Sequence, residues 1–275
     1  MTTQLPLIPL PEDWEPTRAT IHTYANALGV VARAHAVPNE RWWHISLKVK
    51  PTGLTTDGMP LPGGGMFDLR MDFRSHETVL ETSTGEVRTL SMAAGMTGSE
   101  FGDELIDIVG EFGLEADYVT EKFTNDGPRD YRPSAAEQFF AAMVNIDHNL
   151  ELHRSSLAGP VGPLQVWPHG FDLAFEWFGT RTESYEEEGV AKEAPAQLNL
   201  GFYPAGRAYF YSNPWPFDGS LTDQELPGPA AWHTDGWEGS ILYYDDLLAT
   251  ADPTALLLEY ARAVYDLTAP TLTAG

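Results

Sequence analysis

The sequence predicts an α+β protein of mainly antiparallel sheets with flanking helices, arranged as two similar halves. Three observations carry this. Phe67, Leu69, Met71 and Phe73 alternate with Asp68, Arg70, Asp72 and Arg74, the period-two pattern of a strand buried on one face. Ser83-Thr84-Gly85 divides two short strand-forming runs, 78–82 and 86–92, with glycine where a hairpin turn needs positive φ. A helix, a strand bearing Trp and His, further strands and an amphipathic helix then follow in the same order twice, over 14–123 and 134–268. The two halves are expected to pack as one compact unit spanning 1–275. Two separable domains joined near Thr124 to Pro133, a stretch with two prolines and a glycine, are the alternative.

Taken in order, Pro16 opens a helix whose apolar stripe is Ile21, Tyr24, Ala25, Leu28, Val31 and Ala32, with Arg18 and His22 one turn apart on its flank. Arg41 to Val49 reads as a strand with Trp43, Ile45, Leu47 and Val49 on the core side. Trp42, His44, Ser46 and Lys48 face the other way. A loop rich in glycine and proline, 51–65, leads to the Phe67 strand and the hairpin. Thr97-Gly98-Ser99-Glu100 is a capping box before Phe101, Leu105, Ile108 and Phe112, and Gly113 closes that helix. Leu114 to Phe123 is assigned to another strand. Ser134 to Glu137 forms a second capping box, opening a helix striped by Phe139, Met143, Ile146, Leu150 and Leu157. An aromatic strand from Leu164 to Phe178 follows, then strands at 197–203, 207–212 and 238–244. Two insertions separate them: glutamate-rich 182–195, read as a solvated loop, and aromatic 213–237, read as a loop able to cover a site. Asp252-Pro253 caps the final helix.

Together, Thr17 to His22, Trp42-Trp43-His44, Gly53 to Thr56, Phe67 to Phe73 with His76, Phe171-Asp172-Leu173, Gly179 with Arg181, and Ala251-Asp252-Pro253 resemble an uncharacterised bacterial family, domain of unknown function family 5996. The resemblance covers most of the chain. It departs before Phe171, where the family pattern carries a histidine and this chain has Gln165, Pro168 and His169. It implies no reaction.

Forty acidic against sixteen basic residues give a formal charge of −24, which repels phosphate backbones and anionic bilayers. Nucleic acid and membranes are therefore not expected as partners. Cysteine is absent, excluding disulfides, thiolate metal sites and cysteine nucleophiles. With no signal-peptide pattern at 1–10 and no apolar run of membrane length, the expected location is cytoplasmic.

The expected activity is binding of a small molecule in a pocket lined by Trp and His, possession of a net acidic charge favouring a cationic or aromatic ligand. Its candidate residues are Trp42, His44, His22, Arg18, Asp72, His76, Asp172, Arg181 and Trp215. His44 is also the candidate general acid or base, since imidazole titrates near neutral pH and Asp72 or Asp172 can orient it. Arg18 or Arg181 can hold an anionic group through its guanidinium fork. His22, His44 and His76 could converge on a metal, but their spacing matches no ligand motif, and no metal or cofactor is assigned. No Walker pattern, dinucleotide-binding glycines or serine-hydrolase elbow is present. A histidine-based or metal-assisted enzyme is the second expectation and a protein-interaction module the third.

Overall fold

The computed structural model describes residues 3–187 and 189–274. It is an α+β fold of two antiparallel sheets with helices, as the alternation of apolar residues predicts. Two compact units divide the chain. The first comprises Leu10–Val144 and Gln165–Asp172, the second Met1–Pro9, Asn145–Leu164 and Leu173–Gly275.

In the first unit, α1 (Glu15–His35) begins with proline in its first turn and closes with Arg33 and His35, cations that suit the negative end of the helix dipole. Ile21, Tyr24, Leu28 and Val31 are fully buried along it. Six short strands follow: β1 (Lys48–Lys50), β2 (Gly53–Thr55), β3 (Met59–Pro60), β4 (Met66–Asp72), β5 (Glu77–Thr82) and β6 (Val87–Ser91). They form one sheet in the order β1-β2-β4-β5-β6, with β3 paired to β4. Phe67, Leu69, Met71 and Phe73 are buried as expected, and Phe73 stacks on Phe140 with ring centres 4.9 Å apart. α2 (Gly98–Gly110) carries the capping box: Thr97 accepts from the Glu100 N–H and Glu100 from the Thr97 N–H. The unit is completed by the first part of α3 (Pro133–Arg154) and by β7 (Gln165–Trp167), whose Val166 exchanges both backbone hydrogen bonds with Leu47.

The second unit holds β8 (Asp172–Glu187), β9 (Val190–Tyr203), β10 (Tyr209–Trp215), β11 (Ala231–His233) and β12 (Gly239–Tyr243), ordered β11-β12-β10-β9-β8 and antiparallel throughout. A short α4 (Tyr244–Leu248) and α5 (Pro253–Thr268) follow. Asp252 caps α5 by accepting from the Ala255 N–H.

Several expectations are corrected. Of the strand expected over Arg41 to Val49 only Leu47 to Val49 pairs as one; Arg41 to Ser46 does not, because Trp42 takes a left-handed conformation (φ 61°, ψ 13°) and Trp43–Ile45 form a single 3-10 turn. Asn39 causes this locally: its side chain accepts from the Arg41 N–H and its carbonyl from the Trp42 N–H, offering the backbone an alternative to a sheet ladder. Leu114 to Phe123 has no strand partner; a 3-10 turn at Thr120–Lys122 brings Phe123 onto α2 instead. Leu164 to Phe178 is broken by a turn in which Phe171 has φ 57°. The glutamate-rich stretch is not a loop: 182–187 and 190–195 pair as a two-stranded ribbon, from Thr182↔Pro195 to Glu187↔Val190, most of it exposed. Within 213–237 lie the end of β10, a 3-10 turn at Gly219–Asp223 and β11. Helix α3 begins at Pro133, so Ser134 stands inside its first turn, and it ends before Leu157.

Candidate functional site

An open cleft of about 370 Å³ lies in the first unit, lined by Arg33, Arg41, Trp42, Ile45, Lys122, Trp167 and His169. A smaller recess beside it shares Arg33, Ile45, Lys122 and His169 and reaches Asn26, Gly29, Val30 and Pro168. Four segments supply this wall. The last turn of α1 presents Arg33, and the bend forced by Asn39 turns Trp42 outward, leaving it 48 % exposed. Lys122 sits on the 3-10 turn that Phe123 anchors, which requires glycine at 102: a Cβ there would stand 2.1 Å from the Phe123 ring. Trp167 and His169 come from the end of β7 and its following turn, with ring centres 5.8 Å apart. That turn lies against α1 because position 29 is glycine; a Cβ would come within 2.8 Å of Pro168 Cγ.

The electrostatics are contrary to the rest of the chain. Arg33, Arg41 and Lys122 converge on one cleft whose lining includes no carboxylate. Among the described residues neither Arg33 nor Lys122 makes an ion pair, although acidic residues outnumber basic ones by 40 to 16. Arg33 instead lies over the Trp42 ring, 4.9 Å from its centre.

Two of the histidines read as site residues stand behind this wall. His44 is 8 % exposed, stacks on Trp42 at 5.5 Å, and its Nδ1 accepts the Asn39 N–H at 3.1 Å. Its pKa is lowered by burial and then by the Arg33 charge, which keeps the ring neutral with its proton on Nε2. Asp72 does not orient it. That carboxylate accepts from the Arg74 and Ser75 N–H groups, and although burial opposes ionisation these bonds hold its pKa low. His22 donates from Nε2 to the His169 carbonyl (3.2 Å), accepts from Arg18 at Nδ1 (3.4 Å) and stacks on Phe171 at 5.5 Å. Burial, then Arg18, lowers its pKa, so the neutral ring fixes the turn that carries His169. Arg18 is itself held by Glu15.

His76 lies elsewhere, between the Tyr131 hydroxyl (3.1 Å) and Glu137 (3.3 Å). Among the described residues no three His, Asp or Glu side chains are grouped to hold a metal. Asp172 opens β8, its Oδ1 2.5 Å from where a Cβ on Gly170 would stand. Arg181 and Trp215 belong to the second unit: Arg181 donates to the Thr271 carbonyl and pairs with Glu183, and Trp215 meets Tyr185 edge-on at 5.9 Å. The lining residues Arg33, Lys122 and Trp167 were not among the sequence candidates. Their signal was the position of scarce cations in an acidic chain, which becomes informative only when the turns at 42–45, 120–122 and 168–171 bring them together.

Fold and cleft together define an α+β protein of two antiparallel sheets with an aromatic, cation-lined cleft in one unit. Residues 5–273 match the model of a family of unknown function, DUF5996, and the chain belongs to that family. No curated protein and no solved structure matches it. No helix among the described residues is long and apolar enough to cross a membrane.

Proposed function

We propose that the chain binds a small anionic molecule with a flat ring, in the cleft between Trp42, Trp167 and the three cations. The observation that supports this most is the gathering of Arg33, Arg41 and Lys122 around two indoles in a protein of net charge −24. Guanidinium and ammonium groups recognise carboxylate or phosphate, and indole faces take a planar ring. A volume of about 370 Å³ suits a ligand of one or two rings. The lining argues against the cationic ligand that overall charge suggests, because local charge governs a partly enclosed site more than charges beyond a Debye length of roughly 8 Å. It also favours binding over catalysis. His169 is the sole histidine in the lining, and no hydroxyl or carboxylate stands in the wall to act with it. His44 and His22 serve as positioning residues for Trp42 and His169.

Calorimetric titration with aromatic carboxylates and nucleoside monophosphates tests this. Saturable binding that weakens with salt is expected. Arg33→Ala and Lys122→Ala should each reduce affinity about tenfold, the value of one charged hydrogen bond. Saturation by aromatic cations instead, unaffected by either substitution, would reject the reading.

A further inference from the structure

The cleft and its recess divide their walls in a way that narrows the anionic group. Arg41, Trp42 and Trp167 line only the larger space, and Gly29, Val30 and Pro168 only the smaller. Arg33, Ile45, Lys122 and His169 line both, so they stand where the two spaces meet. Three of these four carry N–H donors, and each comes from a different segment. Arg33 is on the last turn of α1, Lys122 on the 3-10 turn at Thr120–Lys122, and His169 in the turn after β7. All three are exposed, so a ligand reaches them from solvent. The turn is held at its backbone, by His22 on the His169 carbonyl, which leaves the imidazole to the cleft.

Charge and shape select between the two groups that guanidinium and ammonium recognise. Among the described residues neither lining includes a carboxylate, so Arg33 and Lys122 meet at the junction as two permanent cations, with Arg41 further along the cleft. A carboxylate brings one negative charge and two oxygens in a plane. A phosphomonoester brings close to two charges at neutral pH and three terminal oxygens set tetrahedrally. Two cations match the second in charge. Three donors arriving from three segments match it in shape, because a carboxylate leaves one of them without an oxygen of its own. Arg33 is placed for this: it lies over the Trp42 ring at 4.9 Å, and a guanidinium packed on an aromatic face still presents the N–H donors at its edge. Size agrees. At about 50 Å³ against about 370 Å³, the recess takes a compact group and the cleft takes a ring.

Resting on the anionic-ligand reading above, we infer that the cleft takes a phosphomonoester of a planar ring, an aryl phosphate or a nucleoside monophosphate, in preference to an aromatic carboxylate. The phosphoryl group sits at the junction between Arg33, Lys122 and His169, and the ring lies in the larger space against Trp42 and Trp167. His169 separates the two ligand classes by donating an N–H to the third phosphoryl oxygen.

Calorimetric titration of the full chain with matched compounds tests this: phenyl phosphate against benzoate, and AMP against adenosine. At least one phosphate ester is expected to bind saturably and about tenfold or more tighter than benzoate, the value of one further charged hydrogen bond, with adenosine far weaker than AMP. Whether phenyl phosphate or AMP binds the tighter distinguishes the aryl ester from the nucleotide and supports the inference either way. His169→Ala removes an exposed side chain and keeps the carbonyl that His22 binds. It should cut affinity for the ester about tenfold and affinity for benzoate less than about twofold. Equal affinity for ester and carboxylate, or a preference for the ester unchanged in His169→Ala, overturns the inference and leaves the anionic-ligand reading standing. Binding of neither class, or AMP and adenosine bound alike, overturns both.

Discussion

Gly29 shows how a single hydrogen in place of a side chain positions a site. Its missing Cβ lets Pro168 approach α1, and His22 then fixes the same turn by donating to the His169 carbonyl. Gly29→Ala should destabilise the protein by about 1–3 kcal/mol in denaturant melts, the usual cost of forcing a methyl into a packed contact, despite alanine's better helix propensity. The same variant should bind cleft ligands more weakly, because the turn carrying His169 must move. At this scale the sequence was informative about residue type and less so about role. Trp42 and His44 stood out as a rare pair, and they do stack on one another. Which of them meets solvent was decided by the left-handed backbone at Trp42, a conformation that side-chain alternation along a strand does not anticipate. A short Asn39 hydrogen-bond pattern, legible in principle as a turn signal, outweighed the β propensity of the tryptophans and isoleucine.

The capping box of α2, a strong local signal, formed as the sequence predicted, whereas the segments 114–123 and 182–195, read from composition alone, did not. The capping box of α2 illustrates the first kind: Thr97→Ala should cost about 1 kcal/mol in urea unfolding, and Thr97→Ser should restore most of it. Thr97 is not among the residues lining the cleft, so ligand affinity should change little in the folded variant. Glutamate-rich 182–195 illustrates the second kind. High charge suggested a solvated loop, yet six registered pairs join β8 to β9 there, and the charges merely occupy a pleat wet on both sides. The 114–123 segment failed in the opposite sense. Its apolar residues suited a strand, but Phe123 found a better surface on α2, at the gap left by Gly102. Neither outcome follows from periodicity, because both depend on what a distant segment offers.

Across the whole molecule, buried and half-buried histidines couple stability to pH. His22, His35, His44 and His153 all have pKa values below 6.5, burial being the largest cause in each, and His153 is pushed down to about 4. Their unfolded forms take up protons first, so stability is complete above pH 6.5, falls as pH drops below it, and stops falling from each group once its folded pKa is passed. His153 alone accounts for roughly 3 kcal/mol between pH 6.5 and 4. Chemical denaturation at stepped pH should show that slope, and His153→Leu should flatten it. The aromatic cleft has a different history from the sheet beside it. Translation delivers α1, the 42–45 turn and Lys122 early, but Trp167 and His169 emerge only after all of α3 has been made. A nascent chain reaching Val144 therefore carries the cations and Trp42 with half of the aromatic wall missing. On the proposed reading, binding competence appears late in synthesis, after the eight residues from Gln165 to Asp172 return to a unit whose other residues were made before them.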